Sequence, residues 1–138
     1  MIMKYAVRYY SRSGNTKKLA DAAAEVLGVK AESVSEPLTE DVDVLFLGAS
    51  IYWAGIDKQV KKFLEAPGAS IGSVIVLSTA ALVESGYSQV RSAAEKQGWN
   101  VDDREFHCAG SFKALHAGKP DEDDLAQLRQ FVAEVISD

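Results

Sequence analysis

The residues best suited to chemistry stand together near the start of the chain. Ser11-Arg12-Ser13-Gly14-Asn15-Thr16 sets three hydroxyls, an amide and a glycine between a run of strand formers and a run with helical periodicity. The first amides of a helix lack intrahelical partners and its amino end is partly positive, so such a junction suits a phosphate. Gly14 lets the backbone turn towards the anion with no Cβ in the way, and Ser11, Ser13 and Thr16 can donate to its oxygens. Neither Gly-x-x-x-x-Gly-Lys-Ser/Thr nor Gly-x-Gly-x-x-Gly is present, which favours a mononucleotide over ATP or NAD. A plain strand-to-helix turn capped by Asn15 or Ser13 explains the same string without a ligand. Its position directly after a first strand favours the phosphate.

Other reactive side chains are isolated. Cys108 lies in Phe106-His107-Cys108-Ala109-Gly110-Ser111-Phe112, where Ala114 stands in the place of the arginine of a Cys-x5-Arg phosphatase, so a buried structural thiol is expected. His107 and His116 belong to no metal-ligand cluster and are read as non-catalytic, and no metal is expected. Glu36, Glu40 and Asp41 read as a solvated connection rather than an acidic docking patch.

These residues need a frame, and the periodicity alternates between two types. Met3 to Tyr10 is rich in aromatic and β-branched residues and predicts a first strand. Asn15 to Leu27 carries Leu19, Ala23, Val26 and Leu27 at helical spacing, with Gly28 placed to end the helix. Val29 to Val34 predicts a second strand, and the almost wholly apolar Val42 to Gly48 a third, covered on both faces. Ile56, Val60, Phe63 and Leu64 mark a helix ending at Pro67-Gly68, and Val74 to Leu77 a fourth strand. Tyr87, Val90, Ala94 and Gln97 line a helix closed by Gly98, Val101 to Ala109 predicts a charged fifth strand, and a last helix after Pro120 buries Leu125, Leu128, Val132 and Ile136. Strands alternating with helices imply a doubly wound, mostly parallel sheet. Only Ser35 to Asp41 joins strands two and three, whereas a parallel crossover needs about a dozen residues. A single helical turn or a shortened second strand is expected there.

With 138 residues the chain suits one domain, residues 1–138, and 47% hydrophobic with 25% charged residues is ordinary for a globular protein. No apolar run reaches the roughly 20 residues that span a bilayer, and the start lacks a secretory pattern, so a cytoplasmic location is expected. The single cysteine is consistent with a reducing compartment. A net charge of -5 disfavours nucleic acid and favours basic protein partners.

Tyr10-Ser11-Arg12-Ser13-Gly14-Asn15-Thr16 resembles the phosphate-binding loop of the flavodoxin family, Ser/Thr-x-Ser/Thr-Gly-x-Thr. The resemblance continues at Gly48-Ala49-Ser50-Ile51-Tyr52-Trp53, the place of the loop whose aromatic residue stacks on the flavin ring, and at Ser78-Thr79-Ala80-Ala81. It covers the whole chain in element order. It implies a flavodoxin-like five-stranded parallel sheet of order 2-1-3-4-5 with helices on both faces, and flavin mononucleotide (FMN) at the carboxyl ends of the strands, at the switch between strands one and three. The site residues carried over are Ser11, Arg12, Ser13, Gly14, Asn15 and Thr16 around the phosphate, with Ser50, Ile51, Tyr52, Trp53, Thr79, Ala80 and Ala81 around the ring.

A flat apolar ring gains from aromatic faces, and Tyr52 aligns best with the stacking residue, with Trp53 next to it; a lid on the core is the lesser reading for both. Tyr87 suits the core better than the ring. Arg8 sits in a central strand and needs a partner: a carboxylate such as Asp43, the sheet edge, or a flavin whose redox state it tunes. Ala80 and Ala81 replace the Gly-Asp type sequence of many flavodoxins, leaving ring contacts there to the backbone. The resemblance implies an electron carrier rather than a stand-alone enzyme, a monomer or weak dimer that docks basic redox proteins transiently, away from membranes. The alternatives are an FMN-dependent quinone reductase or protoporphyrinogen-oxidase-like enzyme, and an interaction module that has lost the flavin.

Overall fold

The computed structural model describes residues 3–11, 14–52, 55–80, 87–109, 118 and 120–137, with backbone alone at 51–52, 55–56, 80 and 109. The elements follow in the order β1 (Tyr5–Tyr9), α1 (Asn15–Leu27), β2 (Ala31–Ser33), β3 (Val42–Tyr52), β4 (Gly55–Ile56), α2 (Lys58–Glu65), β5 (Ile71–Ala80), α3 (Tyr87–Lys96), β6 (Val101–Ala109) and α4 (Glu122–Ser137). The sheet runs β2-β1-β3-β5-β6, and every neighbour along that path is parallel. With the two-residue β4 set aside, this is the 2-1-3-4-5 order expected from the sequence.

Side-chain alternation along the strands builds two cores. On one face Val7, Val44, Phe46, Ile75 and Leu77 pack with Leu19, Ala20 and Ala23 of α1 and with Leu128, Val132 and Val135 of α4. The alanine-rich stripe of α1 brings that helix close to the strands. On the other face Leu45, Leu47, Ala49, Val74 and Val76 meet Val60, Phe63 and Leu64 of α2 and Val90 and Ala94 of α3. α4 opens with a reciprocal cap: the Asp121 amide donates to Asp124 Oδ2 at 2.9 Å and the Asp124 amide to Asp121 Oδ1 at 3.0 Å.

Three expectations need correction. β3 and β5 do not stop at Gly48 and Leu77 but run on to Tyr52 and Ala80, because their ladder continues to Ser50↔Thr79 and β4 pairs antiparallel with Ile51 and Tyr52. Gly48 to Tyr52 is therefore strand rather than loop. The second helix begins at Lys58, not Ile56, since the Asp57 carboxylate accepts the Gln59 amide at 2.8 Å and fixes the start. Ile56 belongs to β4.

Arg8 is the third. It is buried, and its partners are not Asp43, whose carboxylate takes the Lys4 amide at 2.7 Å. The guanidinium lies 3.2 Å from Glu32 and donates to the carbonyls of Glu36 at 2.8 Å, Pro37 at 3.2 Å and Val7 at 3.0 Å. Burial pushes its pKa below the ordinary arginine value, while Glu32 and then Glu36 pull it back up. The short connection from β2 to β3 thus crosses the sheet without a helix. β2 has three residues, Val34 and Leu38 fill the core beneath the connection, and Arg8 supplies the donors that its carbonyls lack.

β6 carries its charges at an irregularity. Between the paired positions Val74↔Val101 and Val76↔Glu105 the register shifts, so Asp102, Asp103 and Arg104 stand out of the ladder. Asp102 accepts the Arg104 amide at 2.8 Å, and hydrogen bonding from the Arg104 side chain holds the Asp102 carboxyl below its usual range. A bulge on an edge strand accommodates charges that a central strand would not.

Candidate functional site

The carboxyl end of the sheet gathers residues from three strands and one helix. Tyr9 pairs with Gly48, and Ser50 with Thr79, so the ends of β1, β3 and β5 lie side by side. β2 lies on one side of β1 and β3 on the other, which makes this gap the switch point where open α/β sheets bind ligands.

α1 starts in that gap. Its cap residue Gly14 has φ +88°, a left-handed conformation that a side chain disfavours, and a Cβ built there would meet nothing within 4 Å. Gly14 contributes no side-chain cap and the first turn carries no acidic residue, so nothing on that turn opposes an anion. The Ser11 hydroxyl accepts the Gly14 amide at 2.9 Å and holds the turn in shape. Lys17 is exposed and paired with Asp21 at 2.7 Å, which, through that hydrogen bond first, raises its pKa.

Thr16 lies at the centre of the arrangement. It is fully buried, and its Oγ1 is hydrogen-bonded both to Ser50 Oγ and, at 3.0 Å, to Thr79 Oγ1. One side chain thus joins the first turn of α1 to the ends of β3 and β5. Close approach of helix and strand depends on Gly48, where a Cβ would stand 2.8 Å from Thr16 Cγ2 and 3.1 Å from Tyr9 Cβ.

Of the predicted site residues, Ser11, Gly14, Asn15, Thr16, Ser50 and Thr79 come together here. Asn15 is buried at the start of α1. Ile51, Tyr52 and Ala80 have their backbones at the adjoining strand ends. The side-chain roles proposed for them, and Arg12, Ser13, Trp53 and Ala81 entirely, lie outside the described residues, as does His116.

Several neighbours are accounted for without a ligand. The Tyr87 hydroxyl donates to the Asp102 carbonyl at 2.7 Å and accepts from Arg91 at 2.9 Å while the ring packs on the core, the role that its place on the helical stripe predicts. Arg8 faces the β2–β3 connection. Cys108 is half-buried rather than buried, packing against the core beside α4. Sequence reasoning missed two contacts. One is the Ser78 Oγ to His107 Nδ1 pair at 3.2 Å, which only the strand register reveals. The other is the closeness of Gly48 to Thr16, for which a glycine inside an apolar strand was the available signal.

A parallel α/β sheet with the first helix starting at its switch point defines the doubly wound class of α/β folds, and comparison with known proteins narrows it. Residues 6–112 match the flavodoxin domain family, and the chain belongs to that family. A relative of similar length is the uncharacterized protein MJ0298 of Methanocaldococcus jannaschii, 25% identical over 97% of this chain and 99% of its own. Among solved structures, a flavodoxin from the domain Archaea superposes with a TM-score of 0.74 at 17% identity, covering 98% of this chain and 97% of the other. Flavodoxin 1 from Bacillus cereus gives a TM-score of 0.69 at 18% identity, with 97% of each chain covered. At these identities the structures establish the shared fold. No helix among the described residues is long and apolar enough to cross a membrane.

Proposed function

We propose that this protein carries electrons on a non-covalently held FMN. The observation that carries the reading is the junction at Thr16, where the first turn of α1, opened by Gly14, meets the ends of β3 and β5 at the switch point of a flavodoxin-family sheet. The residues fit the group. The positive amino end of α1, the open space beside Gly14 and the absence of acid in the first turn suit a phosphate ester. The parallel ends of β3 and β5 offer backbone donors and acceptors to a polar ring edge. Bound there, FMN supplies the redox chemistry, and the protein supplies position, partial exclusion of water and the local charge that sets the potential.

A net charge of -5, with Glu122 and Asp123 exposed at the start of α4, suits a basic redox partner bound weakly and reversibly. The same charge disfavours the reduced, anionic flavin and lowers its potential.

The test is an FMN titration of the purified protein. Quenched flavin fluorescence and a shifted visible spectrum support the reading; a colourless protein that leaves the fluorescence untouched overturns it. Steady turnover of NAD(P)H with quinones by the isolated protein overturns the carrier role in favour of an enzyme.

A further inference from the structure

We propose that the outer face of α2 docks an acidic redox protein and holds it beside the candidate flavin site. This goes beyond the carrier reading, on which it rests only for the partner being a redox protein.

Lys58, Lys61 and Lys62 stand at i, i+3 and i+4 on the helix and are all exposed, because Val60, Phe63 and Leu64 turn the opposite side into the core. Among the described residues none of the three forms an ion pair, whereas Lys4, Arg8, Lys17, Arg91, Arg104 and Arg129 each have a carboxylate partner. Glu65, the one acid on this face, pairs with none of them. The arrangement works against the helix itself. Like charges at these spacings repel, and Lys58 occupies the first helical position, where the partly positive helix end disfavours a cation. Local stability therefore does not account for the three lysines, and an acidic surface placed on them does.

The surrounding charge sharpens the contrast. α2 and α3 together carry five Lys and Arg against two Glu, while α1 and α4 carry three against six Asp and Glu. A chain of net charge -5 thus has one helical layer with a positive surplus. The screening length in physiological salt is about 8 Å, so a docked partner responds to the patch beneath it rather than to the whole chain. A basic partner suits the start of α4 and an acidic one suits α2, which gives an electron donor and an acceptor different faces.

The chain path ties this patch to the site. β4 pairs Ile56 with Ile51 and Gly55 with Tyr52 at the carboxyl end of β3, and Lys58 opens α2 two residues after Ile56. Lys58 to Lys62 advances roughly 6 Å along the helix axis, too short a track for a nucleic-acid backbone and a fit to a compact acidic patch. The apolar side of α2 is spent on the core, which leaves none to enter a lipid surface.

The probe is oxidised cytochrome b5, a small acidic haem protein, titrated into the isotope-labelled protein while backbone amide signals are followed by NMR. Shifts concentrated in residues 57–65 at low ionic strength are expected, and they should vanish in about 1 M salt, where charges are screened beyond about 3 Å. Lys61→Gln/Lys62→Gln should weaken binding about fivefold, the scale of two exposed charge pairs. Lys4→Gln/Lys30→Gln removes the same charge just ahead of β1 and β2, and should change binding less than about twofold. Absence of shifts in α2, binding that strengthens with salt, or equal effects of the two double variants overturns the proposal. Shifts in α2 from single-stranded DNA or phosphatidylserine vesicles, with none from cytochrome b5, also overturn it. The salt series on the unaltered protein is decisive even where a variant does not fold. The titration needs no flavin, so failure of the protein to bind FMN overturns the carrier reading and leaves this result standing.

Discussion

Arg8 and Glu32 face each other across neighbouring parallel strands, in register, with the guanidinium 3.2 Å from the carboxylate. The two ends of this pair are unequal. The Arg8 side chain is 7% exposed and also serves three backbone carbonyls, whereas Glu32 is 36% exposed and solvated. Arg8→Ala is expected to cost about 2–4 kcal/mol, because it removes buried donors and leaves the Glu36 and Pro37 carbonyls unpaired. Glu32→Gln is expected to cost less than about 1 kcal/mol, as a screened pair does. Urea denaturation of the two variants checks the order, and equal costs would contradict this account.

Gly48→Ala tests the close approach of α1 to β3. The added Cβ would lie 2.8 Å from Thr16 Cγ2 and 3.1 Å from Tyr9 Cβ, so the helix start must shift. Overpacking of this kind costs about 1–3 kcal/mol, and FMN affinity is expected to fall with it. Thermal denaturation and flavin titration on the same sample measure both.

The start of α4 offers a local test. Asp121→Ala removes one half of the reciprocal cap with Asp124 and is expected to destabilise the protein by about 1 kcal/mol, while Asp121→Asn retains most of the cap. The two midpoints in urea separate capping from the loss of a negative charge.

Acid should weaken the protein in a defined window. Asp41 has its carboxyl lowered by the Ser70 amide, which it accepts at 2.9 Å, and Asp102 has its carboxyl lowered first by the Arg104 side chain. For a depressed carboxylate the unfolded chain binds more protons, so the stabilisation is complete above the unfolded value of 3.8 and is lost as pH falls through the lower folded values. Asp41→Asn and Asp102→Asn should flatten the fall of stability below about pH 4. Denaturation midpoints from pH 5 to pH 2 give the slopes.

Much of this architecture could be read from the residues, for reasons that differ by element. α1 announced both its ends, since Asn15 follows a turn glycine and Gly28 stops the apolar stripe, and the observed bounds agree. β6 was legible despite its charges because its apolar positions still recur. The β2–β3 connection was legible as a problem: too few residues for a helix, and Arg8 in a strand that should not hold a charge. That these two oddities answer each other was not legible, because the partners of Arg8 are mostly carbonyls, which carry no signal in side-chain identity. In the same way Ser11, Thr16, Ser50 and Thr79 were each picked out, while their meeting at Thr16 follows from strand register and the closeness allowed by Gly48.

The helix-free crossing over β1 also sets where the native state opens first. β2 contributes three residues at a sheet margin, and the chain beyond it is fastened by one arginine, by the Val34 and Leu38 amides on the Tyr9 and Pro67 carbonyls, and by two aliphatic plugs, Val34 and Leu38. Amide protons of residues 31–34 should therefore trade with deuterated solvent through a shallow local excursion, while those of residues 44–49, enclosed between two helical layers, wait for global unfolding. Such peeling frees one flank of β1 and leaves the β3–β5 ladder and the Thr16 junction closed.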